Sequence, residues 1–582
     1  MVFLGFLLFV IALIWFFVMY KLYGNFIANR IYKLNDKNVT PAHELEDGVD
    51  YVPTNKWVVW GHHYTSIAGL GPIVGPAIGI IWGWLPAFLW ITLGTIFAGG
   101  VHDFSALIIS LRNKGKSIGE ITTQIIGPRA KYLFFIVIFF ELWIVIAVFA
   151  MIMGILFNMY PASVFPVWME IPIALLLSYM VYKKKKRLNV WSWWALILMY
   201  VTIAIGVLIP IKVPGIGSGG PVVTWLIIMM VYIYIASTLP VETLLQPRDY
   251  INAHELIVAM GLIFLGAIGA VIASPTHLAI VAPAVNLHPK GAPSLWPFLF
   301  VTIACGAISG FHSLVASGTT SKQIDKESDA KLVGYGGMVS EGILAALVVL
   351  AVAAGIGIAA GGKSAGIDAW NAHYSSWVAA AGLGAKISAF VGGSVNMLKY
   401  IFGSSKYMTD LVATIMGVFI VSFAGTTLDT ATRAQRYVIQ EFGKDLNVGW
   451  LQRKHPATLI AVLSAFGLAM VQPNGKGALI LWPLFGTVNQ LLAALALLVA
   501  TVYLIRKKLP SIVASIPMIF MVIMTSWAMV SNIRNFQKAH NWLLFIIGLV
   551  IFMLMIWLII EAIIAIGNAK RGKKVEGVEE LG

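Results

Sequence analysis

Histidine and aspartate side chains occur at similar depths within long apolar segments of this sequence. The set comprises His62, His63, His102, Asp103 and His312, followed closely by Ser313 and Ser317. A titratable side chain within lipid hydrocarbon costs several kcal/mol by most measures, so each of these is a candidate functional group. Imidazoles titrate near neutral pH and bind transition metals, so this set can relay protons or hold a cation.

Three of the histidines are predicted to meet, because each lies five to eight residues from the inner end of its apolar segment. At 1.5 Å per residue, His62, His102 and His312 then fall within about one helical turn of the same depth. We predict a proton or cation coupling site centred on His62, His102 and Asp103, with His312 as its far wall. The alternative is that each histidine only bonds a neighbouring backbone group.

The same residues offer a metal site, while no cofactor is required. His62, His102 and Asp103 are its predicted ligands, for Na⁺ or for a transition metal. Cys305 is the only cysteine, which excludes a disulfide within the chain and a cysteine zinc framework. Glu141 also lies in an apolar segment, but no partner for it is apparent in the sequence.

The elements that position these residues are membrane-spanning helices. Hydrophobic residues make up 59% of the 582 residues and charged residues only 11%, against about 25% in soluble domains. The formal net charge of +15 is concentrated in short basic clusters between apolar stretches, a pattern typical of membrane boundaries rather than of nucleic-acid binding. The clusters are 112–116, 183–187, 506–508 and 570–574.

The spacing of apolar stretches predicts an all-α, polytopic integral membrane protein of about fifteen transmembrane helices. Placing every basic cluster in the cytoplasm puts the N-terminus outside and the C-terminus inside a cytoplasmic membrane. The segment 386–402 is short and rich in glycine, so we predict that it is re-entrant or interfacial.

Two predicted helices contain breaks that could expose backbone groups to a solute at mid-membrane. The first break lies at Gly69, Leu70, Gly71 and Pro72, where proline suits the start of a new half-helix. The second lies at Thr238, Pro240 and Glu242. These two groups are the predicted substrate-binding residues, and the alternative is that both breaks are packing kinks.

The two breaks are five spans apart and lie in spans of opposite direction, as a five-plus-five inverted repeat requires. The sequence therefore predicts a transport core at 57–428, with repeats 57–210 and 222–428. Residues 1–56 form an N-terminal helix and a cytoplasmic connection. Residues 429–582 supply accessory helices and a basic cytoplasmic tail.

Seven segments between residues 22 and 500 contain strings long enough to identify a family. They are PAHELEDGVDYVPTNKWVVWGHHY (41–64), AGLGPIVGP (68–76), GGVHDFSALIISLRNKGKSIGE (99–120), LPVETLLQPRDYIN (239–252), SGFHSLVASGTTSKQI (309–324), TTLDTATRAQRYVIQE (426–441) and WPLFGTVNQLLAAL (482–495). With them the chain resembles the carbon starvation protein A family, the peptide or pyruvate transporters of bacterial and archaeal membranes. The resemblance implies secondary transport and a leucine-transporter-like fold.

The leading hypothesis is a secondary transporter that imports a pyruvate-like carboxylate or a peptide by alternating access, coupled to protons or a cation. Its expected partners are membrane lipid, the solute and the coupling ion. The sequence does not decide whether the protein forms a homo-oligomer. A second hypothesis is a membrane metalloenzyme that uses His62, His63, His102 and Asp103, although the HExxH spacing is absent. A solute sensor is a third, although no signalling domain is apparent.

Overall fold

The computed structural model describes residues 4–274, 276–358, 365–381 and 383–570. Regular structure in these ranges is helical, apart from one isolated β-bridge between Thr54 and Ile324. Twelve helices in them are long and apolar enough to cross a membrane, and the bent pair Lys56–Ala68 and Gly71–Trp82 adds a thirteenth if it counts as one span. The prediction of an all-α polytopic membrane protein is confirmed.

The other two predicted spans fall on helices that are shorter than a full crossing. Residues 295–318 form two pieces separated by a break, and Lys454–Met470 has 17 residues. The count of fifteen spans therefore stays a prediction. The break accounts for one of these two spans, because neither of its pieces alone is long enough to span a bilayer.

The first half of the chain begins with an N-terminal helix and continues into a helix that breaks after Ala68. Its helices are α1 (Leu4–Phe26), α2 (Pro41–Glu44), α3 (Lys56–Ala68), α4 (Gly71–Gly79), α5 (Trp84–Gly94), α6 (Gly100–Leu111), α7 (Ile118–Ile125), α8 (Pro128–Met159), α9 (Val164–Ser178), α10 (Leu188–Leu208), α11 (Pro221–Thr238) and α12 (Leu245–Ala273). A π-helical segment, Thr95–Gly99, joins α5 to α6 without a turn.

The second half also begins with a broken helix. Its helices are α13 (Leu295–Thr302), α14 (Gly310–Gly318), α15 (Gly336–Ala353), α16 (Gly366–Tyr374), α17 (Trp377–Ala381), α18 (Leu383–Phe402), α19 (Lys406–Asp445), α20 (Lys454–Met470), α21 (Trp482–Arg506), α22 (Ile512–Lys538) and α23 (Trp542–Lys570). The predicted re-entrant segment is α18, which packs on α12 and is not among the twelve spanning candidates.

The two broken helices lie against each other and run in opposite directions. A Cβ atom added at Gly71 would lie 2.3 Å from the Cβ of Cys305, and one at Gly79 would lie 3.6 Å from Leu299. At the other end of the pair, the Nε2 atom of His62 lies 3.3 Å from the hydroxyl of Thr319. Residue numbers rise along one helix as they fall along the other.

Two further pairs of helices show the same antiparallel contact between the halves. The α5–α6 helix meets α15, since an added Cβ at Gly342 would lie 2.6 Å from the Thr95 hydroxyl. The long helices α8 and α19 meet along their length, from the Lys131–Asp445 ion pair at 2.6 Å to the contact of Met153 with Gly425. Three consecutive antiparallel pairs indicate an inverted repeat.

The packing of α12 and α21 is also similar in the two halves. Helix α12 packs against α3 in the first half as α21 packs against α14 in the second. These contacts relate elements of 56–273 to elements of 295–506, while the predicted repeats at 57–210 and 222–428 stay a prediction. Helices α9 and α10 lie in the chain between α8 and α11, and they pack on each other, on α12 and on α19.

The structure does not bring the predicted second break to the first. Helix α11 ends at Thr238 and α12 begins at Leu245, so Pro240 and Glu242 lie in the turn between two helices. The Val241 amide donates to the carbonyl of Val49, in the loop before α3. The second break in the structure is 303–309, between α13 and α14, and it had been predicted as part of one continuous span.

Candidate functional site

A cavity of about 720 Å³ lies between the two breaks. It falls within the usual range of about 300–1,000 Å³ for small-molecule sites. Its walls come from both halves, and its lining includes Gly69, Leu70, Gly71, Phe149, Phe298, Thr302, Cys305, Ser309, Phe311, Thr427, Phe485 and Asn489. We call this space the chamber.

Glycine at the first break lets the two interrupted helices touch. Gly69 has φ +36°, in a region that side chains rarely adopt, and it ends α3. Gly71 begins α4 directly against Cys305, with Pro72 at the start of the new helix as predicted. Gly69, Leu70 and Gly71 line the chamber, whereas Pro72 packs against Gly306.

Two helix N-termini face the chamber, one from each half. Helix α4 begins at Gly71, whose amide precedes the first intrahelical bond, and α14 begins at Gly310, next to the lining residues Ser309 and Phe311. The amide of Phe311 donates to Asn489 Oδ1 at 2.9 Å. Both helix dipoles place partial positive charge at the chamber wall, which favours an anionic group.

A buried chain of side chains runs from α6 to the second break. His102 Nδ1 lies 2.8 Å from Asp103 Oδ1, and Asp103 Oδ2 lies 2.9 Å from His312 Nδ1. His312 Nε2 lies 3.3 Å from Glu341 Oε2, and the other oxygen of Glu341 accepts from the Gly306 amide at 2.9 Å. All four side chains are fully buried, and we call them the coupling chain.

The sequence analysis predicted that His102, Asp103 and His312 lie together, but it did not include Glu341, the fourth member of the coupling chain. Glu341 lies on α15 within a predicted span, where the rule that selected Asp103 applies to it equally. It is the member that touches the break itself, since it holds the Gly306 amide.

The structure places His62 and His63 in other contacts. His62 Nδ1 lies 2.6 Å from Asp249 Oδ2, and His63 Nδ1 lies 3.0 Å from the hydroxyl of Thr320. Asp249 in turn accepts from the guanidinium of Arg248 at 3.1 Å. The predicted metal ligands His62, His102 and Asp103 are therefore divided between two networks.

The network beyond His62 was not predicted. Arg248, 4% exposed, bonds Asp429 on α19 and the hydroxyl of Tyr232 on α11, and its Nε atom lies 3.8 Å from Glu170. The signal was present in the string QPRDY, which places Arg248 and Asp249 at the start of an apolar span.

Ser313 and Ser317 bond backbone groups of their own helix. The Ser313 hydroxyl donates to the carbonyl of Gly310 and the Ser317 hydroxyl to that of Ser313, each at 2.7 Å. Ser317 also accepts from the Ile118 amide at 3.0 Å. Both hydroxyls are thus bonded to backbone groups, and the predicted coupling role of the two serines stays a prediction.

Among the described residues, one group of donor atoms converges as a metal site would require. The group is Cys305, His312 and Glu341, whose donor atoms lie within 4.8 Å of one another. His312 is shared with the coupling chain, and Cys305 is part of the chamber wall.

A cluster of charges joins the loop before α3 to α19. Asp50 accepts from Arg433 at 2.8 Å and from Arg436 at 3.0 Å, and Lys322 stacks on Tyr437 at 3.6 Å from the ring centre. Burial alone would raise the pKa of Asp50, but Arg436, Arg433 and Lys322 hold it well below its usual range. Asp50 therefore stays ionised, and paired with the two arginines, across a wide pH range.

Asp50→Asn is expected to loosen the contact between the loop before α3 and α19. Because the variant leaves two buried arginines without their carboxylate, a membrane-impermeant thiol reagent added on the side that carries this loop should reach Cys305 faster. We expect about tenfold, the factor that ~1.4 kcal/mol represents. Asp36→Asn is the matched control, since Asp36 bonds only Ser328 in the same exposed connection. Equal rates of Cys305 labelling in the two variants would show that Asp50 does not control access to Cys305.

An inverted repeat of broken helices around a central chamber defines a polytopic membrane protein of the secondary-transporter class. The comparisons with known sequences then give the family. The chain belongs to the carbon starvation protein CstA family, whose model matches residues 4–528.

Named relatives match most of the chain. It is 33% identical to "Peptide transporter CstA" of Campylobacter jejuni, covering 90% of this chain and 79% of the relative. It is 32% identical to "Pyruvate/proton symporter BtsT" of Escherichia coli, covering 88% and 79%. Among solved structures, an Eremococcus coleocola manganese transporter aligns with a TM-score of 0.49 at 14% identity, covering 90% of this chain and 99% of that one.

Proposed function

We propose that this protein is a secondary active transporter that imports a small carboxylate of the pyruvate type through the chamber. The observation that carries the proposal is the chamber itself, which lies between two broken helices and faces two helix N-termini. A carboxylate bound there would accept from backbone amides near Gly71, without a charged side chain among the described lining residues. We place the protein in the cytoplasmic membrane with its C-terminus inside.

Coupling follows from the contact between the coupling chain and the second break. Glu341 holds the Gly306 amide, so a proton or cation bound between Asp103 and Glu341 changes the charge next to the backbone that forms the chamber wall. Binding of solute and ion would thereby favour the same arrangement of α13 and α14, which is the requirement for coupled transport. A relative named as a pyruvate/proton symporter supports the proton as the coupling ion.

Peptide import is the second candidate, supported by the names of several relatives and by the cavity of about 720 Å³. A metalloenzyme is less well supported, because its four proposed ligands do not converge. The relatives are named transporters, which fits a protein without catalytic activity.

Uptake by the purified protein in liposomes tests both substrates. Labelled pyruvate is expected to accumulate above its equilibrium level when the outside is made acidic, and the accumulation should collapse when a protonophore dissipates the gradient. A labelled dipeptide and an inward sodium gradient are the parallel arms. Peptide accumulation with no pyruvate uptake would shift the assignment to the second candidate, and uptake equal to empty liposomes in every arm would reject transport.

A further inference from the structure

Three potential metal ligands meet where the second break touches the chamber wall. Cys305 lies in the break, His312 lies on α14 and Glu341 on α15. Their donor atoms lie within 4.8 Å of one another, although the three residues come from different elements. Thiolate, imidazole and carboxylate are each common ligands of zinc.

Two of the three donors have no hydrogen-bond partner. His312 Nε2 and Glu341 Oε2 are buried and form no hydrogen bond with the described residues, although they lie 3.3 Å apart. Unpaired polar atoms at this depth are costly, which points to a ligand that both can share. Nitrogen and oxygen ligands about 2.0–2.1 Å from a tetrahedral zinc ion would lie ~3.3 Å from each other, which matches the observed separation.

The neighbours of His312 prepare it to bind a metal. Its Nδ1 atom lies 2.9 Å from a carboxylate oxygen of Asp103, and an ionised carboxylate can only accept, so Nδ1 carries the proton. When the ring is neutral, its lone pair is therefore on Nε2, the atom that lies 3.3 Å from Glu341. A carboxylate behind a histidine fixes the tautomer and orientation of metal-binding histidines generally. Asp103 is itself held by His102 at 2.8 Å.

The fourth coordination position would face the chamber. Cys305 is partly exposed and lines the cavity, whereas His312 and Glu341 lie behind it. An ion held by these three residues keeps one position for water or for an oxygen of a bound carboxylate.

We propose that Cys305, His312 and Glu341 form a binding site for a divalent transition metal, with zinc the ion that best fits the donor set. Binding releases to solvent the thiol proton of Cys305 and any proton held between His312 Nε2 and Glu341, and it joins the second break to α15. Because alternating access requires that break to move, the bound ion is an inhibitor of transport. The binding site follows from the donor geometry alone, and only the inhibition rests on the proposed function.

The single cysteine gives a direct test of binding. The full chain, purified in detergent without a polyhistidine tag and freed of metal with a chelator, is treated with a maleimide at increasing Zn²⁺. Zinc is expected to slow alkylation of Cys305, saturating at one ion per chain. Titration with Co²⁺ should give a thiolate charge-transfer absorption band, which requires a metal–sulfur bond. Alkylation that is unaffected by Zn²⁺ would overturn the site.

Variants identify the ligands. Cys305→Ser and His312→Gln should each weaken Zn²⁺ binding by at least the roughly 10- to 100-fold that loss of an outer-shell partner costs. His277→Ala is the matched control, since that histidine contacts Tyr400 outside the chamber and should bind zinc as the wild type does. Wild-type affinity for Zn²⁺ in Cys305→Ser would also overturn the site. The alkylation assay uses the wild-type chain, so it tests the site even if a variant does not fold.

Transport is measured separately, so that the two proposals can fail independently. If zinc binds but no solute is taken up under any gradient, the proposed function fails and the metal site stands. If pyruvate uptake is normal and micromolar Zn²⁺ leaves it unchanged, the inhibitory role fails. If Zn²⁺ inhibits pyruvate uptake by the wild type but not by Cys305→Ser, the result supports both the metal site and its inhibitory role.

Discussion

Replacing Asp103 with asparagine is expected to reduce coupled uptake to the level of empty liposomes while folded protein remains in the membrane. Asp103 is fully buried and accepts from two histidines, at 2.8 Å from His102 and 2.9 Å from His312. Asparagine keeps the size of the side chain but removes the charge through which the coupling chain holds a cation. Asparagine is preferred to alanine because it fills the same space and leaves no cavity beside the two histidines.

The measurement is pyruvate accumulation driven by a pH gradient, together with exchange of labelled pyruvate at equal concentrations on both sides. Loss of driven uptake with retained exchange would place the defect in coupling. Glu141→Gln is the matched control, because Glu141 is a fully buried carboxyl on α8 whose oxygens have no hydrogen-bond partner among the described residues. Undiminished driven uptake in Asp103→Asn would remove the proposed role of the coupling chain.

Much of the fold could be predicted from apolar length, because each bilayer crossing leaves a run of hydrophobic residues that no soluble element needs. The pairing of helices between the two halves could not be predicted in this way. Helices α9 and α10 have the length and composition of any other span, and only contacts in the folded chain show that they lie outside the three antiparallel pairs. Counting spans from the first break therefore led to Pro240 instead of to the break at 303–309.

The second break also lacks the signal that marked the first. The first contains Pro72 beside two glycines, whereas the segment from Ile303 to Ser309 contains no proline. Its one glycine, Gly306, has φ +90° and packs against Ala345 and Pro72. A single glycine in an apolar run is common in membrane helices, so the sequence did not distinguish this break from a continuous helix.

Depth along a helix predicted the meeting of His102, Asp103 and His312, because it depends only on the rise per residue. Depth does not give the direction in which a side chain points. His62, for which the sequence predicts the same depth, faces α12, where it meets Asp249. Residues at similar depth can thus belong to two separate networks, and only helix rotation and packing, which a single sequence does not reveal, assign them.

A side chain at Gly71 is expected to separate the two breaks and to reduce transport strongly. The Cβ atom of Gly71→Ala would lie 2.3 Å from the Cβ and 2.4 Å from the sulfur of Cys305, closer than carbon and sulfur atoms can approach. Because both atoms are near the backbone of the second break, the break must shift. Overpacking of this kind costs about 1–3 kcal/mol, so uptake should fall by roughly one to two orders of magnitude.

Two further variants make this prediction specific to the contact between the breaks. Gly261→Ala, on α12 with no atom of the described residues within 4 Å of the new Cβ, should transport as the wild type does. Cys305→Gly removes both clashing atoms, so the double variant Gly71→Ala/Cys305→Gly should regain uptake relative to Gly71→Ala alone. Wild-type uptake in Gly71→Ala would show that the two broken helices do not need to touch, and the chamber between them would then lose its role.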